Sequence, residues 1–160
     1  MKTLKDIQPG QGEEIIEEEP KVSPRTESRR VALQAIYQWQ LTNESIPQIV
    51  KQFNEDGLLA ELELEWFKEL LTEVSNNAEA LDALFADYLD RSVARIDPVE
   101  RAIMRMGAYE LQSKVEIPYK VIINESVELA KRFGAEESHK YINGILDKVA
   151  KQLRELEMTK

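Results

Sequence analysis

The chain has 160 residues, of which 42% are hydrophobic and 32% are charged, so it can form a domain with a hydrophobic core. Its formal net charge of -9 argues against a protein that binds nucleic acid through bulk charge, because affinity for phosphate backbones depends on lysine and arginine. It contains no cysteine, which excludes disulfide bonds, thiolate metal sites and cysteine nucleophiles.

The first 22 residues have the composition of a flexible acidic extension. They contain two glycines, two prolines and the acidic run EEIIEEE over residues 13–19, as solvated segments do. The N-terminus lacks the apolar stretch of a secretory signal, and no apolar run approaches the roughly 20 residues of a membrane span. We therefore expect a soluble, cytoplasmic protein that does not act at a membrane.

Residues 23–160 carry the spacing of an all-α fold. Apolar residues recur at helical intervals, and no segment alternates apolar and polar residues as a strand does. Helix-breaking residues divide this part into stretches of ordinary helix length: Pro47, Gly57, Asn76 with Asn77, Asp97 with Pro98, Pro118 and Gly134. We predict a compact bundle of about seven helices. A break near residues 76–78 divides it into two helical subdomains, 23–76 and 77–160.

The first predicted helix, PRTESRRVALQAIYQWQLT, has two different faces. At about 100° per residue, Ala32, Ala35, Ile36 and Trp39 share the inward face, and Arg30, Gln34, Tyr37 and Leu41 the opposite one. A basic patch of Arg25, Arg29 and Arg30 lies beside the second face. Charge for phosphates and a ring for bases are what single-stranded RNA binding requires. The pattern alone favours the alternative, a solvated face with Tyr37 half-buried, since surface aromatic residues near arginines are common.

The stretch DPVE at residues 97–100 marks another helix start. Asp97 fits the N-cap, Pro98 the first helical position and Glu100 the reciprocal position of a capping box. Later in this helix, Glu110 lies on a mostly apolar face, where we expect a structural hydrogen bond to a neighbouring loop.

The following helix begins with Pro118 and ends at Gly134, which we expect in the left-handed conformation that ends many helices. Its core-facing side carries Phe133 together with Tyr119, Ile122, Ile123, Leu129 and Ala130. A different stripe carries Lys120, Asn124 and Lys131, so both lysines point the same way. We interpret this stripe as a second candidate RNA-binding surface.

The stretch FGAEESHKYINGILDKV begins at Phe133 and contains His139, the single histidine of the chain. Glu136 precedes it by three residues, as in carboxylate metal bundles, but those sites need a second such pair and two further acids. We therefore predict no metal site. We expect Glu136 and Glu137 in the first turn of the last helix, where acids are favourable.

Two further residues of the last helix, Tyr141 and Gly144, have predicted roles. Tyr141 falls at the edge of the buried side, where its ring is exposed enough to stack on a base. Gly144 is unfavourable inside a helix and suggests the close approach of another backbone or of a ligand, and of these we expect a close helix crossing.

The signatures of catalysis are missing from the sequence. There is no Gly-x-Ser-x-Gly stretch and no glycine-rich phosphate loop, and one histidine leaves little room for a nucleophilic triad. We predict that the chain is not an enzyme, has no catalytic residues and uses no cofactor.

Several ordered motifs resemble the NusB family of bacterial transcription antitermination factors. They are RRVALQAIYQWQ at 29–40, WFKELL at 66–71, DPVERAIMRMGAYEL at 97–111 and IPYKVIINESVELAKRFGAEESHKYINGILDKV at 117–149. The resemblance covers essentially all of residues 25–150. It implies a NusB-like fold of two helical subdomains that binds the single-stranded boxA element of ribosomal leader RNA. In the family this happens together with NusE, a ribosomal small-subunit protein, within an RNA polymerase antitermination complex.

The resemblance also implies site residues. The family's arginine-rich motif falls on Arg25, Arg29 and Arg30, although Thr26, Glu27 and Ser28 interrupt it here. The base-stacking residues fall on Tyr37, Phe133 and Tyr141, with Glu137, His139 and Lys140 close by. The NusE contacts fall on Tyr88 and Glu100, the second of which competes with the capping role.

Alternatives remain at this point. The chain could instead be a NusB-like accessory domain of the kind fused to ribosomal RNA methyltransferases, or a purely structural helical adaptor. A monomer and a homodimer are both compatible with the sequence. For the acidic run EEIIEEE, our hypothesis is that it shields the N-terminal arginines until RNA or a partner binds.

Overall fold

The computed structural model describes residues 22–158 and contains no strand within them. The helices are α1 (Pro24–Thr42), α2 (Ile46–Glu55), α3 (Leu64–Asn76), α4 (Ala78–Phe85), α5 (Pro98–Ser113), α6 (Tyr119–Phe133), α7 (Ser138–Leu153) and α8 (Glu155–Met158). Two 3₁₀ turns, Ala86–Tyr88 and Val93–Arg95, lie between α4 and α5. Seven of these helices are long, which confirms the predicted fold. Apart from Val22, the predicted extension 1–22 lies outside the described residues.

The start of α5 shows how local sequence determines a helix end. The Asp97 carboxylate accepts hydrogen bonds from the backbone N–H groups of Val99 (2.9 Å) and Glu100 (3.3 Å), with Pro98 at the start of the helix. The predicted N-cap is therefore confirmed. Within residues 22–158 no hydrogen bond engages the Glu100 carboxylate, so the reciprocal half of the capping box is missing.

Helix α5 lies at the centre of the packing, in contact with α1, α3, α4, α6 and α7. One continuous core surrounds it; its largest fully buried side chains include Phe67, Phe85 and Met104. Because α5 packs against helices on both sides of residue 77, the two subdomains share it, and their division stays a prediction. No helix in the described part of the chain has the length and hydropathy that crossing a membrane requires.

Close helix contact occurs at Gly107 rather than at Gly144. A Cβ atom added to Gly107 would lie 2.8 Å from Leu146 Cδ1 and 3.1 Å from Ser126 Oγ, so a side chain there would require the side chains of α6 and α7 to shift. A Cβ atom at Gly144 would meet nothing within 4 Å. The expected close crossing at Gly144 is therefore wrong.

The connection between α6 and α7 also differs from expectation. Gly134 has φ -90° and ψ 174°, which is extended rather than left-handed. Glycine is needed there for space, because an added Cβ would lie 2.5 Å from Ser138 Oγ and 2.8 Å from the carbonyl oxygen of Ala130. The left-handed residue is Glu137, with φ 71°. Since α7 begins at Ser138, Glu136 and Glu137 precede its first turn rather than forming it.

The carboxyl end of α5 is capped by a side chain from beyond α7. The Arg154 guanidinium is buried and donates to the backbone carbonyl oxygens of Leu111 (2.7 Å), Lys114 (2.9 Å), Ile117 (3.0 Å) and Glu110 (3.2 Å). Within residues 22–158 the carbonyls of Leu111 and Ile117 accept no backbone hydrogen bond, whereas those of Glu110 and Lys114 also accept from the N–H groups of Lys114 and Ile117. A single cation therefore fixes the end of α5 and the turn leading into α6.

Candidate nucleic-acid interface

The outer face of α1 carries the predicted polar and aromatic stripe. Tyr37 is 36% exposed and Gln34 is exposed, with its amide donating to the Arg30 carbonyl oxygen at 3.2 Å. On the opposite face, Ala32, Ala35 and Ile36 are fully buried. The two predicted faces of α1 are confirmed, and Arg30, Gln34 and Tyr37 form what we call the α1 stripe.

Two arginines at the start of α1 reach the surface, and both are already paired. The Arg25 side chain is 41% exposed, lies 3.5 Å from the Glu63 carboxylate and stacks 4.4 Å above the Trp66 ring. Arg30 is 19% exposed at its side chain and lies 3.5 Å from Glu27. A phosphate group would therefore compete with an existing carboxylate partner at each arginine.

Arg29 is a correction to the predicted basic patch. It is 2% exposed, and its guanidinium donates to both oxygens of Glu110, at 2.7 and 3.1 Å. Burial lowers the pKa of Arg29, but the hydrogen bonds and charge of Glu110, with the nearby charge of Glu125, raise it overall above its ordinary value. Arg29 is fully charged, yet it cannot reach a phosphate group. Glu110 has its expected hydrogen bond, with a helix rather than a loop.

The α6 stripe lies next to the start of α1. Lys120, Asn124 and Lys131 are exposed, and Lys131 lies 3.6 Å from Glu128. Thr26 of α1 donates to the Glu125 carboxylate at 3.0 Å, and Arg29 Nη1 lies 3.6 Å from the same carboxylate. Thr26, which interrupts the arginine motif, thus joins α1 to the middle of α6.

The opposite end of α6 meets the start of α7 at a corner that carries several predicted residues. Phe133 is half-buried against the core, and the Arg132 guanidinium lies 5.7 Å from its ring centre. Glu137 and Lys140 are exposed and pair at 2.6 Å, while His139 is half-buried. Phe133 therefore both packs inward and shows an edge, which fits each of its two predicted roles.

Tyr141 is held at this corner by a segment that the sequence did not single out. Its hydroxyl donates to Asp90 at 3.1 Å, and Arg91 donates to both oxygens of Asp90 at 2.8 and 3.1 Å. The hydrogen bond from Arg91 lowers the pKa of Asp90, whereas burial raises the pKa of Tyr141. The ring is half-buried, so one part of it can face a ligand.

The two residues expected to contact a protein partner flank the same segment. Tyr88 is half-buried, its hydroxyl donates to Gln152 at 3.1 Å, and Lys148 Nζ lies 5.9 Å from its ring centre. Burial, together with Asp97, raises the pKa of Glu100, and the charge of Arg91 opposes this shift. Arg91 therefore acts electrostatically on both Asp90 and Glu100, so the segment 88–91 lies near both Tyr141 and the start of α5.

Comparison with known proteins decides the family. A family model described as the NusB family matches residues 26–151. The chain belongs to the NusB family.

Curated relatives agree with this assignment. Transcription antitermination protein NusB of Hydrogenovibrio crunogenus is 62% identical over 156 residues, which cover 98% of this chain and 97% of that protein. The protein of the same name from Marinomonas sp. is 50% identical, over 84% of this chain and 78% of that protein.

Solved NusB structures share the fold. T. maritima NusB has a TM-score of 0.70 at 29% identity, over 83% of this chain and 94% of that one. A chain from a crystal structure of antitermination factors NusB and NusE in complex with double-stranded RNA has a TM-score of 0.73 at 25% identity. That match covers 81% of this chain and 97% of the other.

In this NusB-family chain, α6 connects the start of α1 to the corner between α6 and α7. Its middle contacts the start of α1 through Glu125, and its end carries Phe133 beside the α7 corner. Asp90 and Arg91 were missed because they lie about 50 residues from Tyr141 along the chain, and local patterns carry no information on such pairs. No group of three or more acidic or histidine side chains within residues 22–158 is arranged to hold a metal ion.

Proposed function

We propose that this NusB-family protein binds single-stranded boxA RNA of ribosomal leader transcripts together with NusE. In this role it promotes processive transcription within an RNA polymerase antitermination complex and performs no catalysis. The likeness to a NusB chain in a complex with NusE and RNA carries the proposal. A basic partner also explains how a chain with a formal net charge of -9 can approach RNA, since the partner supplies positive charge.

The RNA surface that we propose runs from the α1 stripe along α6 to Tyr141. Its exposed ring at Tyr37 can stack on a base, and Gln34 beside it offers a hydrogen-bonding amide. The exposed lysines of α6 supply charge for the phosphates. Because few unpaired cations contribute, stacking decides affinity more than charge does.

Fluorescence anisotropy with labelled boxA RNA tests the proposal. We expect selective binding over a scrambled strand, strengthened by NusE and retained at moderate salt. Binding to a duplex of the same RNA is measured as a third comparison, because the related solved complex contains double-stranded RNA. Weak binding that does not distinguish the strands, with or without NusE, would refute the proposed function.

Replacing Tyr37 with alanine tests the stacking surface. We expect a loss of about 1–3 kcal/mol in boxA binding, because one stacked base contributes that much. The matched control is Leu41→Ala, since Leu41 lies one turn further on the same face and is 57% exposed. Equal affinities for the two variants, with helicity intact by circular dichroism, would remove Tyr37 from the surface.

Replacing Glu100 with glutamine tests the NusE contact without disturbing the fold. We expect NusE affinity to fall by at least about 0.2–1 kcal/mol and to become less sensitive to salt, because an exposed ion pair contributes that amount and Glu100 is half-buried. Glu79→Gln, an exposed acid on α4, serves as the control. Isothermal titration calorimetry over a salt series gives both quantities, and identical salt slopes for the two variants would contradict the assignment.

A further inference from the structure

An apolar groove lies between α2 and α3. Its volume is about 580 Å³. Apolar side chains line much of it: Ile46, Val50, Leu59 and Leu64. Two lysines, Lys51 and Lys68, also line it. Leu64 remains 38% exposed, so an apolar side chain entering the groove would cover it. No helix of the described part of the chain fills this groove.

The charges beside the groove are poorly neutralised. Lys51 lies 3.9 Å from Glu55, a contact between side chains that are 77% and 63% exposed, so its contribution is small. Lys68 is exposed and has no carboxylate within 4 Å in the described residues, although the chain contains 30 acidic residues and only 21 basic ones. A suitable occupant is therefore apolar at its centre and acidic at its flanks.

Residues 13–19, EEIIEEE, have this composition. We propose that Ile15 and Ile16 of this segment dock in the α2–α3 groove of the same chain, with the flanking glutamates facing Lys51 and Lys68. Two adjacent isoleucines present an apolar side chain whichever side of the segment faces the groove. The docking is intramolecular, so the effective concentration of the segment is high.

The start of α1 places the segment within reach. Ser28 accepts a hydrogen bond from the Glu63 N–H at 2.8 Å, and Arg25 lies 3.5 Å from the Glu63 carboxylate, so the first turn of α1 lies against the residue that precedes Leu64. Seven residue steps separate Ile16 from Ser23, which span up to about 23 Å when extended. From Leu64 the groove follows α3 for about 12 Å.

The N-terminal arginines are a weaker site for the same segment. Arg29 is buried, Arg25 is paired with Glu63, and Arg30 is paired with Glu27. The groove offers both an exposed apolar surface and, at Lys68, an exposed lysine without a carboxylate partner in the described residues. The arginine-shielding hypothesis becomes the competing outcome of the test.

Paramagnetic relaxation in the full chain tests the docking. A nitroxide on Glu18→Cys is the single label, because the natural chain has no cysteine. We expect the strongest relaxation at the backbone amides of Val50, Leu64 and Lys68. The combined changes Ile15→Asp and Ile16→Asp should reduce it at least about tenfold, the effect of losing one buried isoleucine.

Matched variants distinguish specific docking of Ile15 and Ile16 from nonspecific attraction between the extension and the rest of the chain. Leu4→Asp with Ile7→Asp makes the same chemical change elsewhere in the extension and should leave the relaxation unchanged. Lys51→Glu with Lys68→Glu alters only exposed side chains and should reduce it. Strongest relaxation near the exposed Val121 of α6 would overturn the proposal in favour of the arginine end. Relaxation transferred to an unlabelled second copy would overturn it in favour of self-association.

Discussion

Replacing Arg29 with alanine is expected to lower the free energy of unfolding by about 3–5 kcal/mol, because removing one partner leaves the other charge buried and uncompensated. Glu110 is 2% exposed and receives two hydrogen bonds from Arg29, at 2.7 and 3.1 Å. Burial raises the pKa of Glu110 and Arg29 opposes this shift, so the arginine stabilises the charged carboxylate. Urea denaturation at neutral pH measures the loss.

Two further variants distinguish the buried pair from a general effect of lost charge. Arg25→Ala removes an arginine one turn earlier whose side chain is 41% exposed, and we expect a change below about 1 kcal/mol. The double change Arg29→Met with Glu110→Leu removes both charges and should recover most of the stability, since apolar replacements of buried pairs are often neutral. Equal losses for Arg25→Ala and Arg29→Ala would contradict the assigned role of the pair.

Replacing Arg154 with alanine should lower the free energy of unfolding by about 2 kcal/mol or more, because the Leu111 and Ile117 carbonyls would lose their donor and each such carbonyl costs about 1–3 kcal/mol. The guanidinium donates to four backbone carbonyl oxygens at the end of α5 and in the following turn. Arg154→Lys should restore little, because an ammonium group has three donors on one atom and cannot span the four acceptors.

Thermal denaturation and hydrogen exchange together measure the effect of replacing Arg154. The global stability should fall, and the amides between α5 and α6 should exchange faster than those of α2, which lies far from the cap. Lys151→Ala is the control, since Lys151 is 67% exposed and, within residues 22–158, pairs only with Asp147 on its own helix. If stability fell but the amides of the turn after α5 did not exchange faster, Arg154 would not stabilise the protein by capping α5.

Local patterns predict much of this fold because they act over one or two helical turns. Asp97 with Pro98 predicts the start of α5, and the periodicity of α1 places Tyr37 outside and Ile36 inside. The same periodicity could have identified Arg29 as buried, because it lies seven residues before Ile36 and so on the same face. Grouping it with Arg25 and Arg30 by charge alone led to the wrong surface.

Contacts between distant parts of the chain account for what the sequence does not predict. Glu110 follows Arg29 by 81 residues, and nothing local signals that the two meet. Gly134 is a different case, because the residues that crowd it, Ala130 and Ser138, are each four residues away; this crowding arises only once the turn between α6 and α7 is folded. The candidate RNA surface follows the same rule, since its stripes are local while Asp90 and Tyr141 meet only in the folded protein.

The cap on α5 also affects the order in which helices pack during synthesis of the chain. Arg154 follows Leu111 by 43 residues, so the ribosome completes the central helix well before the arginine that caps its end exists. Chains emerge at about 5–20 residues per second, which leaves α5 open at its carboxyl end for about 2–9 seconds. During that time α1, α3 and α4 can already pack against it, whereas α6 and α7 must form before the turn after α5 closes. The nascent chain therefore folds against its central helix from the amino-terminal side first.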